Sequence, residues 1–173
     1  MNSYTDQNQA PSEYQGNLEI LMQIPFFSGM PIDAMKLIAF LCTRETFRPG
    51  DYLFQEGDVD PHAYFFIKGK AVLTLSTPGD EMVIREYSEN DFLGGLSILW
   101  ISKRFFSLKA ITDTRCLVLE RDRFQKILDQ FPQIARPILE EICAFIHDWE
   151  SRLIGSHAET CPPCRSSLGL SLF

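Results

Sequence analysis

The run Asp91-Phe92-Leu93-Gly94-Gly95-Leu96-Ser97-Ile98-Leu99, continued by Lys103-Arg104-Phe105-Phe106-Ser107-Leu108-Lys109-Ala110, decides how this sequence is read. Two adjacent glycines let the backbone turn sharply and leave peptide N–H groups uncovered. A short helical turn over 96–100 would aim its N-terminus at the same spot, where free N–H groups attract anions. Arg104 opens the next apolar segment, and its planar guanidinium matches the oxygens of a phosphate. The spacing describes an anion cradle made of Gly94, Gly95, the backbone donors of the turn at Leu96 and Ser97, and Arg104. It equally describes a tight turn beside a solvated arginine, and spacing alone leaves both open.

Around this run the sequence is punctuated by turns. Pro49-Gly50-Asp51, Glu56-Gly57-Asp58, Lys68-Gly69-Lys70 and Pro78-Gly79-Asp80 separate short segments rich in aromatic and β-branched residues. Turn signals recurring about every 8–12 residues mark an antiparallel sandwich or barrel. Strands are expected over 64–67, 71–75, 82–87, 105–110 and 116–119. Helical periodicity flanks this region. Leu18, Leu21 and Met22 follow a possible cap at Asn17, and Ile32, Met35, Ile38 and Ala39 follow Pro31. A short helix is expected over 121–128. A longer one, beginning near Pro132 or Pro137 and kinked or restarted at Pro137, is expected to run to 154. The order is helices, β region, helices.

These segments together resemble the cyclic nucleotide-binding domain, as found in catabolite activator proteins and kinase regulatory subunits. Pro49-Gly50-Asp51-Tyr52-Leu53-Phe54-Gln55-Glu56-Gly57-Asp58 resembles the family's first hairpin. Ala63-Tyr64-Phe65-Phe66-Ile67-Lys68-Gly69-Lys70-Ala71 resembles its next strand pair. Phe92-Leu93-Gly94 with Arg104 resembles its phosphate-binding cassette, and Arg121-Asp122-Arg123-Phe124 the helix that enters its C-terminal helices. The resemblance implies an α+β fold, mainly β. It is a jelly-roll type β roll flanked by short N-terminal helices and a long C-terminal helix. Residues 17–154 would form this domain, with a flexible arm at 1–16 and a disordered tail at 155–173. The ligand implied is a cyclic nucleotide or another phosphate-bearing molecule.

At the cassette the sequence departs from the family. The position after the first glycine normally carries a glutamate that binds the ribose 2′-hydroxyl, and here it is Gly95. Loss of such a charged acceptor costs about 1.5–3 kcal/mol of binding. After the arginine the family carries small residues, and here Phe105 and Phe106 follow. Because side chains alternate on a strand, one of these rings is expected to face inward and crowd the pocket. Against that resemblance the anion half of the site is retained, as Gly94, the backbone donors around Leu96 and Ser97, Arg104 and the Ser107 hydroxyl, and the ribose half is lost.

The composition narrows the function further. The 173 residues are 45% hydrophobic and 23% charged, which supports a full buried core and excludes a fibre or an unfolded chain. A formal charge of -7 runs against a general nucleic-acid binder or an anionic membrane surface. No apolar run reaches the about 18 residues of a membrane span, and the polar start shows no export signal, so a cytoplasmic location is expected. Only 19 residues follow Ile154, with Arg165 their one basic residue, too few for a helix-turn-helix, so direct DNA binding is not expected.

Side-chain constellations for chemistry are sparse. Cys42, Cys116 and Cys143 lie in apolar surroundings and read as buried thiols. Cys161 and Cys164 have metal-ligand or redox spacing, with His157 nearby, but lack the fourth ligand of a structural zinc site and the strand context of a redox motif. His62 reads as isolated. No catalytic residues and no metal site are expected, and hence no enzyme. Ile142, Ile146, Trp149 and Leu153 form an apolar seam that resembles the family's dimer helix. The leading expectation is a stand-alone regulatory module that signals through protein partners and forms a homodimer through this helix. Its cyclic nucleotide binding would be weakened or altered by Gly95, Phe105 and Phe106. One alternative is a ligand-free interaction scaffold with a self-filled pocket; another is redox or metal sensing through Cys161 and Cys164.

Overall fold

Ala63, Tyr64, Phe65 and Phe66 are consecutive and all buried. Successive side chains on a strand point to opposite faces, so such a run needs cover on both sides. The computed structural model, which describes residues 13–157, supplies it. Ala63 and Phe65 enter a core shared with the helices, whereas Tyr64 and Phe66 enter a second core between two sheets. The strand Thr114–Glu120 divides in the same way, with Leu117 and Leu119 toward the helices and Cys116 and Val118 toward the other sheet.

The chain order is α1 (Glu13–Leu21), α2 (Ile32–Leu41), β1 (Thr43–Phe47), β2 (Tyr52–Phe54), β3 (His62–Lys68), β4 (Ala71–Thr77), β5 (Asp80–Tyr87), β6 (Phe92–Leu93), β7 (Ser107–Ala110), β8 (Thr114–Glu120), α3 (Arg121–Gln130) and α4 (Ala135–His157). Single 3-10 turns stand at Pro25–Phe27, Gly95–Ile98 and Pro132–Ile134. The strands form two four-stranded antiparallel sheets, ordered β1-β8-β3-β6 and β2-β7-β4-β5. The first sheet is the middle layer, with helices on one face and the second sheet on the other. The fold is thus mainly antiparallel β with flanking helices, as the turn pattern and the resemblance led one to expect.

Three turns share one device. The N–H groups of Arg48, Gln55 and Ser88 donate to the carboxylates of Asp51, Asp58 and Asp91, each three residues on, at 2.7, 2.9 and 2.7 Å. The residue before each aspartate, Gly50, Gly57 or Asn90, has positive φ. Aspartate can close such a turn with its own side chain, and glycine or asparagine tolerates the left-handed region. At Gly69, with φ +92°, a β-carbon would stand 2.5 Å from the Asp113 carbonyl oxygen, so the β3–β4 turn requires glycine for space as well as conformation.

The boundaries differ from expectation at several places. Helix α1 begins at Glu13, inside the span read as an arm, and residues 1–12 lie outside the described ones. Asn17 is therefore no cap. It is buried within α1, where Nδ2 donates to the Ala39 carbonyl at 3.3 Å and Oδ1 accepts from Arg44 Nε at 2.8 Å. Strand β1 escaped the sequence reading because it is polar and largely exposed at a sheet edge. Pro137 falls in the first turn of α4, where its missing N–H breaks no helical bond, so no restart is needed there. Helix α4 continues past 154 to His157, and residues 158–173, including Cys161 and Cys164, lie outside the described ones.

Candidate functional site

Gly94 lies directly on β3. Its φ is +87°, and a β-carbon there would meet the His62 carbonyl oxygen at 2.6 Å and Ala63 Cα at 2.9 Å. Both are backbone atoms and cannot yield, so only glycine lets the cassette sit this close. The 3-10 turn Gly95–Ile98 follows. The Ser97 N–H donates to the Gly94 carbonyl at 2.9 Å, so this backbone group closes the turn rather than facing a ligand. Ser97 is buried and Leu96 is exposed.

Gly95 is enclosed by rings. A β-carbon on it would stand 3.0 Å from Cδ2 and Cε2 of Phe26 and 3.2 Å from Cε1 of Phe92. Phe26 comes from the 3-10 turn after α1, and its ring also packs on those of Phe27 and Phe124. The absent glutamate therefore leaves no vacant slot at its β-carbon.

Arg104 turns inward. Its backbone N–H donates to the Asp58 carbonyl at 2.8 Å, and its carbonyl accepts from Gly57 N–H at 2.8 Å, which clamps this segment to the β2–β3 turn. The guanidinium donates to Asp60 Oδ2 from Nε at 3.1 Å and from Nη2 at 2.5 Å. Nη2 also donates to the His62 carbonyl at 2.6 Å, and Cζ lies 4.2 Å from the centre of the Phe54 ring. The side chains of Arg104 and Asp60 are only 12% and 9% exposed. Asp60 Oδ1 accepts from His62 Nδ1 at 2.6 Å and from the Tyr64 hydroxyl at 3.3 Å. His62 is thus not isolated: His62, Asp60 and Arg104 form one hydrogen-bonded chain.

These contacts set the electrostatics. Burial pushes the Asp60 carboxyl up, but hydrogen bonds from His62 and Arg104, together with the Arg104 charge, outweigh it and hold the carboxyl below its ordinary value. The hydrogen bond to Asp60 raises His62, against opposition from burial. Burial, then the Asp60 charge, raises Tyr64.

The two phenylalanines after Arg104 lie in a bend rather than on a strand. Strand β7 starts only at Ser107, so strand alternation does not apply to the bend that holds them. Phe105 is 76% exposed and does not crowd the pocket, while Phe106 is half-buried. The Ser107 hydroxyl accepts from Glu56 N–H at 3.0 Å and ties β7 to the β2–β3 turn. The residues that sequence reasoning missed are Asp60 as partner of Arg104, and Phe54 and Tyr64 around it. One signal was available: Asp60, His62 and Tyr64 recur at alternate positions leading into an apolar strand, which places them on one side.

Elsewhere, Ile138 and Ile142 of the α4 seam pack on the domain's own helical core. Ile146 is half-buried and Trp149 exposed; the side chain of Leu153 lies outside the described ones. Cys42 and Cys116 are buried free thiols, each pushed up to about 12 by burial. Cys143, expected buried, is exposed because it lies off the face of α4 that docks on the domain. Among the described residues no helix is long and apolar enough to cross a membrane.

Comparison with known proteins agrees with this geometry. The family described as cyclic nucleotide-binding domain matches residues 44–131. The cAMP-dependent protein kinase regulatory subunit of Dictyostelium discoideum is 29% identical over 105 residues, 58% of this chain and 32% of that protein. The potassium/sodium hyperpolarization-activated cyclic nucleotide-gated channel 2 of Homo sapiens is 25% identical over 118 residues, 68% of this chain and 13% of the channel. This chain therefore matches a third or less of these relatives' length. In structure, the N-terminal domain of a transcriptional regulator from Streptomyces coelicolor A3(2) superposes with a TM-score of 0.69 at 23% identity, covering 77% of this chain and 93% of that one. With the fold, the cassette turn on β3 and the inward arginine all in place, this chain belongs to the cyclic nucleotide-binding domain family.

Proposed function

We propose that this chain is a regulatory module that signals through protein partners, with cyclic nucleotide binding weakened or altered at the cassette. The observation that carries this reading is Gly95, which offers no ribose acceptor and whose β-carbon position is crowded by Phe26 and Phe92. Gly94 and Arg104 keep the anion half of the site, with Arg104 directed into the domain. Exposed apolar side chains on α4, Phe145 and Trp149, favour a homodimer through that helix. The buried free thiols Cys42 and Cys116 suit a reducing compartment, the cytoplasm. Calorimetry with cyclic AMP, cyclic GMP and cyclic dinucleotides tests the reading. Weak binding abolished by Arg104→Ala is the expected result, and binding as tight as that of an intact cassette would refute it.

A second reading is supported by one observation. Asp60 already occupies the Nε–Nη2 edge of the Arg104 guanidinium, in keeping with a self-filled pocket. On this reading the fold is a ligand-free interaction module, and no cyclic nucleotide would shift its melting temperature.

A further inference from the structure

The structure assigns to Asp60 the role of a built-in counter-anion that competes with a phosphate for Arg104, and to His62 that of the group whose protonation loosens this hold. The inference rests on the reading of the cassette as an anion site. Asp60 Oδ2 engages the Nε–Nη2 edge of Arg104, one of the edges through which a guanidinium takes a phosphate bidentately. That edge is fixed from two more sides, by the His62 carbonyl on Nη2 and by the Phe54 ring beneath the guanidinium plane. An incoming phosphate that uses the same edge must displace the carboxylate.

The balance of that exchange depends on His62. With its imidazole neutral, Asp60 and Arg104 cancel, and the site offers no net charge to an anion. With its imidazole protonated, the three groups sum to one positive charge, and His62 competes with Arg104 for the same carboxylate. The other charged groups facing His62 are Glu45 on β1 and Glu120 at the end of β8, the latter bridged to Arg123 at 3.2 Å. Both carboxylates favour the protonated ring, as Asp60 does, while Arg104 lies on the His62 carbonyl and Tyr64 bonds the shared carboxylate. The His62 side chain is 33% exposed, so its proton exchanges with solvent without unfolding. Phosphate-bearing anions are therefore taken more readily as pH falls through the titration of His62.

The experiment has two arms. In the first, calorimetry with cyclic AMP and, separately, inorganic phosphate compares wild type, Asp60→Asn and His62→Gln at pH about 6 and about 8.5. Asp60→Asn should bind at least about tenfold tighter than wild type, about 1.4 kcal/mol. Wild-type affinity should rise toward the acid side, and His62→Gln should lose that rise. In the second arm, nuclear magnetic resonance follows the Arg104 Nε–H signal in ligand-free protein. It should move with the His62 titration in wild type and stay still in His62→Gln. Equal affinity of wild type and Asp60→Asn, or an Arg104 signal indifferent to His62, would overturn the inference. If neither form binds either probe while the signals remain coupled, the nucleotide reading of the cassette falls and the link between His62 and Arg104 stands. His62→Gln retains the Asp60–Arg104 pair, so the second arm is decisive even if Asp60→Asn does not fold.

Discussion

Phe26 closes on Gly95: two atoms of the Phe26 ring lie 3.0 Å from where a β-carbon on residue 95 would stand. The N-terminal turn and the cassette thus shape one another. A side chain introduced at 95 requires this ring, which also packs on Phe27, Phe92 and Phe124, to give way by a few tenths of an ångström. Gly95→Glu alone should lower stability without restoring cyclic nucleotide binding. Gly95→Glu with Phe26→Ala supplies both acceptor and room, and should strengthen cyclic AMP binding by at least about tenfold, about 1.4 kcal/mol. Calorimetry on the folded variants decides, and a single Gly95→Glu variant that binds as well as the double one would contradict this account.

The turn glycines allow a paired test. Gly69 and Gly79 both have positive φ, +92° and +93°, but a β-carbon at 69 meets backbone at 2.5 Å whereas the space at 79 is open. Gly79→Ala should cost only the conformational strain, about 1 kcal/mol. Gly69→Ala should cost clearly more, because the Asp113–Thr114 backbone must move. Urea denaturation of the two variants measures the difference, and equal losses would argue against the close approach.

Removing one partner from the buried ion pair should be severe. Asp60→Ala leaves the largely buried guanidinium of Arg104 without its carboxylate, at a cost of about 3–5 kcal/mol. Arg104→Ala strands Asp60 in the same way. The double variant should lose less than the two single losses added together. Simple additivity in denaturant unfolding would mean that the pair does not act as a unit.

The same cluster sets a pH signature. His62 is raised above 6.5, so its stabilising contribution is fully present below 6.5 and is lost as pH rises through the folded value. Asp60 is held below 3.8, so its contribution is present above 3.8 and is lost as pH falls through the folded value. The stability gap between wild type and His62→Gln should therefore be wider at pH about 5.5 than at about 8.5. A gap that widens toward alkaline pH would reverse the assigned sign.

For the homodimer proposed through α4, Trp149→Glu should give a folded monomer. Trp149 is exposed within the described residues, whereas Ile138 and Ile142 already dock on the domain. Sedimentation that finds wild type monomeric at high concentration would remove the dimer from the proposal.

The sequence alone was enough for the β roll, the flanking helices and the cassette turn, because these are written in local chemistry. Gly50, Gly57, Gly69, Gly79 and Gly94 all occupy the left-handed region that sequence punctuation implies. The buried run of β3 and the helical spacing of α2 report their surroundings through hydrophobic period. Polar β1 carried no such period, and the bend that exposes Phe105 broke the alternation assumed for it. Only the tertiary structure decided what fills the space beside Gly95 and what Arg104 faces. Phe26 comes from the turn after α1, far from Gly95 along the chain, and Asp60 lies 44 positions before Arg104. A side chain's nearest charge and nearest ring are properties of packed space, and distance along the chain does not encode them.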